Sequence, residues 1–96
     1  MTKPSRPDIV DALLALKTRS DVEAFLADLC TPGEIRALSE RWIVARLLDG
    51  GALSYREIAK EAKSSTATVV RVARFLKDMP HKGYRRVLDR LQGART

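Results

Sequence analysis

Residues 54–77 constrain the fold more than any other part of this chain, because two short helical patterns there flank a polar turn. On both sides of the turn, small and aliphatic residues recur at the spacing that places side chains on one face of a helix. These residues are Ile58, Ala59, Ala62, Val69, Ala73 and Leu76. Ala59 provides the small side chain that two steeply crossing helices need. The stretch predicts a helix-turn-helix with Lys63-Ser64-Ser65 as its turn.

The turn residues allow two further predictions. If Lys63 is left-handed, glycine would be easier there by about 1 kcal/mol. Either Ser65 or Ser64 is expected to cap the second helix, because serine hydroxyls accept the free N–H groups of a first turn.

The outer face of the second helix has the side chains expected of a DNA-reading helix. Thr66, Ala67 and Thr68 come first, and Arg71 and Arg74 follow one and two turns later. Small hydroxyls and methyls fit close to base edges, and guanidinium groups pair with purine acceptors in the major groove. The alternative is a packed helix pair whose polar face is merely solvated.

The basic charge of the chain is concentrated on the same half. Seven basic and eight acidic residues precede Tyr55, whereas eleven basic and four acidic residues follow from there to the end. The net charge of +6 therefore comes entirely from the half with the helix-turn-helix. This segregation favours a polyanionic partner, double-stranded DNA.

The remaining composition excludes several classes of protein. Scarce β-branched runs indicate an all-α fold. Cys30 and His81 are the only residues of their types, so no disulfide, multi-cysteine metal site or catalytic triad can be assembled, and we expect no enzyme and no cofactor. No apolar run is long enough for a signal core or a membrane span, so a cytoplasmic protein is expected.

Helix boundaries outside the motif follow from capping signals. Pro7 fits the first position of the first helix. Ser/Thr-x-x-Glu capping boxes are predicted for Ser20 with Glu23, Thr31 with Glu34 and Ser54 with Glu57. The helix after Thr31 is expected to stop at Gly50-Gly51. A last helix follows over 83–92, with its outer side formed by Arg85, Arg86 and Arg90.

The helix that begins after Thr31 has apolar residues around well over half of its circumference. A surface helix of a monomer usually has one apolar stripe of about 100°. Burial against a second copy resolves this, so we expect a homodimer. The chain is then a single DNA-binding domain, with dimerisation helices over 1–53, the helix-turn-helix over 54–79 and the last helix over 83–92.

From Cys30 onward the sequence resembles the tryptophan repressor family, and especially its tryptophan-repressor-related branch of small bacterial helix-turn-helix proteins. The matching residues are Thr31-Pro32-Gly33-Glu34, Ala37-Leu38, Arg41, Leu47-Leu48, Ser54-Tyr55-Arg56-Glu57-Ile58, Ala67-Thr68-Val69 and Leu76-Lys77. The resemblance implies a six-helix subunit in an intertwined homodimer whose two helix-turn-helix units face successive major grooves. The tryptophan repressor is a standard example of that docking geometry.

The resemblance also implies roles for individual residues. Arg56 stands where the family's first motif helix contributes an arginine to DNA, whereas Ala59 replaces a lysine that contacts DNA. The family's effector pocket would fall on Thr31, Arg41, Arg71, Val72 and Phe75. Val72 replaces a glycine that lies against the ligand's indole, and Phe75 replaces a serine near its amino group, so tryptophan itself is disfavoured as co-repressor.

The sequence therefore predicts a homodimeric transcriptional repressor that binds specific DNA without obligatory tryptophan. The expected DNA-binding residues are Arg56, Lys60, Lys63, Ser64, Ser65, Thr66, Ala67, Thr68, Arg71, Arg74 and Lys77. Two alternatives stay open: the same fold acting as a repressor that depends on a small-molecule co-repressor, and a helical dimer that binds an acidic protein surface instead of specific DNA.

Overall fold

The computed structural model describes residues 6–93 of the chain, and the regular structure of that range is entirely helical. Its helices are α1 (Ile9–Leu14), α2 (Arg19–Leu29), α3 (Pro32–Gly50), α4 (Tyr55–Glu61), α5 (Thr66–Lys77) and α6 (Gly83–Gly93). The prediction of an all-α, six-helix fold is confirmed.

The described residues form two compact units that meet in sequence between Ile35 and Arg36, within α3. The first unit contains α1, α2 and the first turn of α3, and the second contains the rest of α3 with α4, α5 and α6.

The second unit has a closely packed apolar core. Val44 and Ala45 of α3 are fully buried, and the inward faces of α4 and α5 pack in the same cluster. Every side chain predicted to face inward from the helix-turn-helix is buried, together with Val72 and, from α6, Leu88. The helical periodicity of residues 54–77 was therefore assigned to the correct faces.

The first unit has no buried residue among its described residues, 6–35. Its aliphatic side chains are half-buried or exposed, and Leu14 is 78% exposed. The large exposed ones are Ile9, Val10, Leu13, Leu14, Val22 and Leu29. A single copy of the chain thus leaves a set of aliphatic residues in water that the hydrophobic effect would favour covering.

Two of the three predicted capping boxes are confirmed. Thr31 Oγ1 accepts the backbone N–H of Glu34 at 3.1 Å, and the Glu34 carboxylate accepts the Thr31 N–H at 2.8 Å. Ser54 and Glu57 exchange the same pair of hydrogen bonds at 3.2 and 2.9 Å. In both boxes these bonds hold the pKa of the glutamate below its ordinary value, because backbone N–H groups stabilise the carboxylate.

The predicted starts of the first two helices are wrong. The capping residue of α2 is Thr18 rather than Ser20, with Asp21 closing the box, and Glu23 instead forms an exposed ion pair with Arg19 at 3.8 Å. Likewise α1 begins after Asp8, which exchanges hydrogen bonds with Asp11. Pro7 therefore precedes the cap and is not helical. In both cases an aspartate three residues after the cap supplies the carboxylate, whereas the Ser/Thr-x-x-Glu pattern contains only glutamate.

The predicted end of α3 is confirmed. The helix runs to Gly50, and Gly51 takes a left-handed conformation with φ of +73°. Glycine adopts this conformation without the steric cost of a Cβ atom.

Arg85 was predicted on the outer side of the last helix, and the structure corrects this. Its guanidinium donates to both carboxylate oxygens of Asp49 on α3, at 2.7 and 3.2 Å, and its Nε donates to Asp89 at 2.8 Å. Gln92 adds a hydrogen bond to Asp49 at 2.8 Å. Of the three arginines, only Arg86 and Arg90 are exposed. The contacts of Arg85 and Gln92 with Asp49 form a charged clamp between α6 and α3, which the apolar periodicity did not predict.

Within residues 6–93, no helix combines the length and the apolar character needed to cross a membrane.

Replacing Asp49 with asparagine tests the clamp. The Arg85 hydrogen bonds hold the pKa of Asp49 below its ordinary value. The clamp therefore stabilises the fold above the ordinary aspartate pKa of about 4, and the effect is lost as pH falls through the lower folded value. We expect Asp49→Asn to lower Tm by a few degrees at pH 7 and to match the wild type more closely in acid. Glu23→Gln, which removes a largely exposed ion pair, is the control expected to leave Tm unchanged. Equal Tm values for Asp49→Asn and wild type at pH 7 would contradict the clamp.

Candidate nucleic-acid interface

The turn between α4 and α5 is closed by a specific hydrogen-bond pattern. The Ser64 N–H donates to the Ala59 carbonyl at 2.9 Å, and the Lys63 N–H donates to the Lys60 carbonyl at 3.2 Å. Together these bonds form a Schellman motif, which requires a left-handed residue after the helix. Lys63 is that residue, with φ of +53°, so the condition under which glycine was expected to be easier at this position is met.

Ser65 caps the second helix of the motif. It is one of the two residues, Ser65 and Ser64, that were predicted as this cap. Its Oγ accepts the backbone N–H of Thr68 at 3.1 Å and lies 3.0 Å from the Thr68 hydroxyl. Thr68 is half-buried, and its hydroxyl is therefore already engaged at the start of α5. Of the three small residues predicted to approach bases, Thr66 and Ala67 are the exposed ones.

The outer face of α5 is exposed along the whole helix and has no acidic residue. Its exposed residues are Thr66, Ala67, Val70, Arg71, Arg74 and Lys77. Arg74 and Lys77 in the last turn also complement the negative end of the helix dipole, so a structural contribution accompanies any contact they make.

The basic side chains of α4, the turn and α5 are not neutralised by neighbours. Within residues 6–93, the salt bridges join Arg19 to Glu23 and Arg85 to Asp49 and Asp89. None involves the basic residues of the motif, namely Arg56, Lys60, Lys63, Arg71, Arg74 and Lys77. Their charge therefore remains available to an external anion.

The α4 side of the motif is more mixed in charge than α5. Arg56 and Lys60 are exposed, but Glu57 and Glu61 line an open hollow beside Lys60. Ala59, at the position where the resemblance implies a DNA-contacting lysine in the family, is buried in the core of the second unit. The positive potential of the motif is therefore strongest on α5.

Two exposed residues near this face were missed in the sequence. Val70 is 56% exposed, three residues after Ala67 and four after Thr66, and that spacing could have identified it. Tyr55 is 39% exposed at the start of α4. The Lys77 ammonium lies 6.0 Å from the centroid of the Tyr55 ring. Both border an open hollow between α4 and α5, with Arg74 as a further wall.

The residues predicted for an effector pocket are divided between the two units. Thr31 belongs to the first unit, where its hydroxyl caps α3, and Arg41 is half-buried on α3 in the second. On α5, Val72 is 1% exposed, and the Arg71 guanidinium lies 4.6 Å from the centroid of the Phe75 ring. An aromatic ring of the protein thus already occupies one face of Arg71.

An open, largely apolar hollow of about 450 Å³ borders Phe75 within the second unit. It is lined by Trp42, Phe75, His81, Gly83, Tyr84 and Val87. His81 stacks on Phe75 with ring centroids 6.3 Å apart and planes inclined by 15°. Among residues 6–93, no three His, Cys, Asp or Glu side chains are grouped as ligands of a metal ion.

Comparison with known proteins assigns the family. The sequence matches the Trp repressor protein family over residues 7–92. This chain belongs to the Trp repressor family. Members of that family are DNA-binding regulators and not enzymes, which agrees with the function class predicted from the helix-turn-helix.

Individual proteins are similar to this chain along most of its length. The uncharacterized protein YerC of Bacillus subtilis (strain 168) is 38% identical over 88 residues, covering 92% of this chain and 83% of YerC. A TrpR-like protein from Eubacterium eligens ATCC 27750 has a crystal structure that matches with a TM-score of 0.81 and 39% identity, covering 88% of this chain and 84% of that one. A proposed Trp repressor from Staphylococcus aureus matches with a TM-score of 0.80 and 38% identity, covering 88% and 82%. The predicted resemblance to this family is confirmed.

Lys63→Gly is expected to affect the stability of the fold and the affinity for DNA in opposite directions. Glycine removes the cost of the left-handed conformation and should raise the free energy of unfolding by about 1 kcal/mol. The same change removes a cation, so affinity for DNA should fall, with a salt slope lower by about one. Thermal melts and DNA titrations at several salt concentrations measure the two effects.

Lys82→Gly is the matched control, because Lys82 has a similar φ of +58° but precedes α6. It should gain stability and leave DNA affinity unchanged. Equal DNA affinities for Lys63→Gly and wild type would remove Lys63 from the interface.

Proposed function

We propose that this protein is a sequence-specific DNA-binding repressor of transcription that acts as a homodimer and does not require tryptophan. Family membership supports the general class, and features of this chain support the specific parts of the proposal.

The observation that carries the proposal is the outer face of α5. This face combines small exposed residues near the helix start with arginines one and two turns later, and it has no acidic residue. A solvated helix face usually mixes both charge signs, as α4 does. A face of this composition matches the negative potential and the acceptor groups of the major groove.

In the proposed complex, the residues fall into two groups by role. Arg56, Lys60, Lys63 and Lys77 bind phosphates, aided by the turn residues Ser64 and Ser65. Thr66, Ala67, Thr68 and Arg71 lie near base edges, with Thr68 contributing mainly its methyl group because its hydroxyl contacts Ser65. Arg74 reaches either phosphates or bases. Phosphate contacts position the protein, and the base contacts provide specificity.

The homodimer is supported by the aliphatic side chains that one copy leaves exposed. The described part of the first unit has no buried residue, and its largest aliphatic residues are exposed. Pairing residues 1–53 with a second copy would cover them, leaving residues 54–79 to bind DNA and 83–92 to brace the motif. A two-fold dimer then predicts an operator with two-fold symmetry.

Independence from tryptophan is supported by Val72 and Phe75. Val72 is buried in the core, and the Phe75 ring lies under Arg71. An indole could not take the same face of Arg71 without displacing Phe75. The protein therefore fills with its own side chains the space where the family's effector would lie.

A second candidate function is supported by the apolar hollow beside Phe75. Its aromatic lining, with few polar groups, is typical of sites for small apolar ligands. In that version of the proposal, a small-molecule co-repressor binds the hollow and controls the affinity for DNA.

Selection of genomic DNA fragments by the purified protein at physiological salt, with and without added metabolites, distinguishes these functions. Enrichment of an inverted repeat without any addition supports the tryptophan-independent repressor. Enrichment only with a metabolite supports the second candidate. Retention of random fragments that fades with salt would contradict both and favour an acidic protein partner.

Substitutions on α4 test the docking. Arg56→Ala should weaken binding to the selected operator about tenfold more than binding to random DNA, because a contact fixed by the docked geometry is lost. Lys60→Ala should weaken all sequences about equally and lower the salt slope by roughly one. Arg90→Ala on the exposed side of α6 is the control expected to change neither. Operator binding that is untouched by both α4 substitutions would rule out this docking.

The dimer is tested at Leu14, the most exposed of the large hydrophobic residues described. Leu14→Glu should shift the protein from dimer to monomer in analytical ultracentrifugation and weaken operator binding, because a charge cannot enter an apolar interface without a large cost. Ala52→Glu, which adds the same carboxylate to an exposed position between α3 and α4, should remain dimeric. An unchanged sedimentation profile for Leu14→Glu would exclude this face from the interface.

A further inference from the structure

Val70 is exposed in the region of α5 that the proposed function places against DNA. Its side chain is 56% exposed, while Val69 on the opposite face is fully buried. It follows Ala67 by three residues and precedes Arg74 by four, so the three side chains lie along one face of the helix. The helix-turn-helix pattern alone did not assign any role to this residue.

The fold of the second unit gives no reason for a valine at this position. A β-branched residue forms helix slightly less readily than a straight-chain one, and more than half of this side chain faces water. Single exposed apolar residues are common on protein surfaces, so exposure by itself indicates no function. The position of Val70 among basic residues is the informative feature.

Val70 and Ala67 form an apolar strip with an arginine one turn after each methyl-bearing residue. Arg71 follows Ala67 by four residues, and Arg74 follows Val70 by four. The major groove presents only one apolar group, the C5-methyl of thymine, and guanine offers the acceptor pair that arginine prefers. An apolar side chain beside a guanidinium therefore matches a thymine close to a guanine.

We propose that Val70 contacts a thymine methyl group in each half of the operator and is a specificity-determining residue; this inference rests on the proposed function. Ala67 is too short to cover a methyl group at the same depth, so Val70 provides the larger apolar contact. Removal of the thymine methyl should cost about fourfold in affinity for one half-site, as expected for one buried methyl group. For both half-sites together, the loss should be about fifteenfold.

The experiment is a thymine-to-uracil scan of the selected operator, one position of a half-site at a time. Uracil keeps the base-pairing groups of thymine and lacks only the methyl. With the wild-type protein, one position should show the fourfold loss, and Val70→Ala should bind the thymine and uracil forms of that position equally well. Because Val70 is exposed, Val70→Ala should keep the thermal stability of the wild type.

Val87→Ala makes the same chemical change at a 46% exposed valine of α6 and is the matched control. Its thymine-to-uracil ratio, measured within one protein, should equal that of the wild type even if its overall affinity changes. Identical uracil profiles for wild type and Val70→Ala would overturn the inference. If the operator is still selected and Arg56→Ala still weakens it, the proposed function survives that result. If the wild-type protein selects no operator at all, the proposed function and this inference fail together.

Discussion

The close packing of α4 on α5 is the interaction on which the orientation of the outer face of α5 depends. Ala59 on α4, Ala62 directly after α4 and Ala73 on α5 are buried among larger aliphatic residues. Small side chains let two helix axes approach at a steep angle. Val44 of α3 packs in the same core. Because protein interiors are close-packed, a larger residue at any of these alanines would tilt α5 and move every side chain on its outer face.

The apolar residues of the chain are used very differently in its two units. The second unit buries aliphatic side chains from each of its four helices, and the clamp from Arg85 to Asp49 adds a charged contact between α6 and α3. The described part of the first unit buries none of its side chains. Chains of this size hide only about 60–65% of their unfolded surface. The six large aliphatic residues that the first unit leaves exposed therefore contribute little to the stability of a single copy. In the proposed homodimer, dimer formation would cover the aliphatic residues that the first unit leaves exposed, so it would be coupled to the folding of that unit.

Sequence periodicity predicted the faces of the helix-turn-helix well, because burial on α4 and α5 repeats at the helical period. Helix starts were less predictable: Thr18 and Ser20 are both acceptable caps, and Asp21 closes a box as effectively as Glu23 would. Arg85 was misplaced because its partner, Asp49, is 36 residues away in sequence. Val70 was missed because its spacing after Thr66 and Ala67, which places it on the outer face, was not used, and a valine in an apolar-rich helix is ordinarily assigned to the core. The choice between two possible caps and the pairing of residues far apart in sequence depend on the three-dimensional structure, so the sequence pattern alone does not predict them.

The contact between Arg71 and Phe75 restricts an exposed basic side chain of α5 within the folded chain itself. A free arginine side chain loses about 2 kcal/mol of rotamer entropy when it is fixed in a contact. The Phe75 ring, 4.6 Å from the guanidinium, and His81 stacked on that ring restrict Arg71 before any DNA is present. Part of that entropy is then lost on folding and not on binding, which favours affinity through preorganisation. Under the proposed tryptophan-independent function, Phe75 supplies from within the chain the aromatic contact to Arg71 that a bound ligand would otherwise provide.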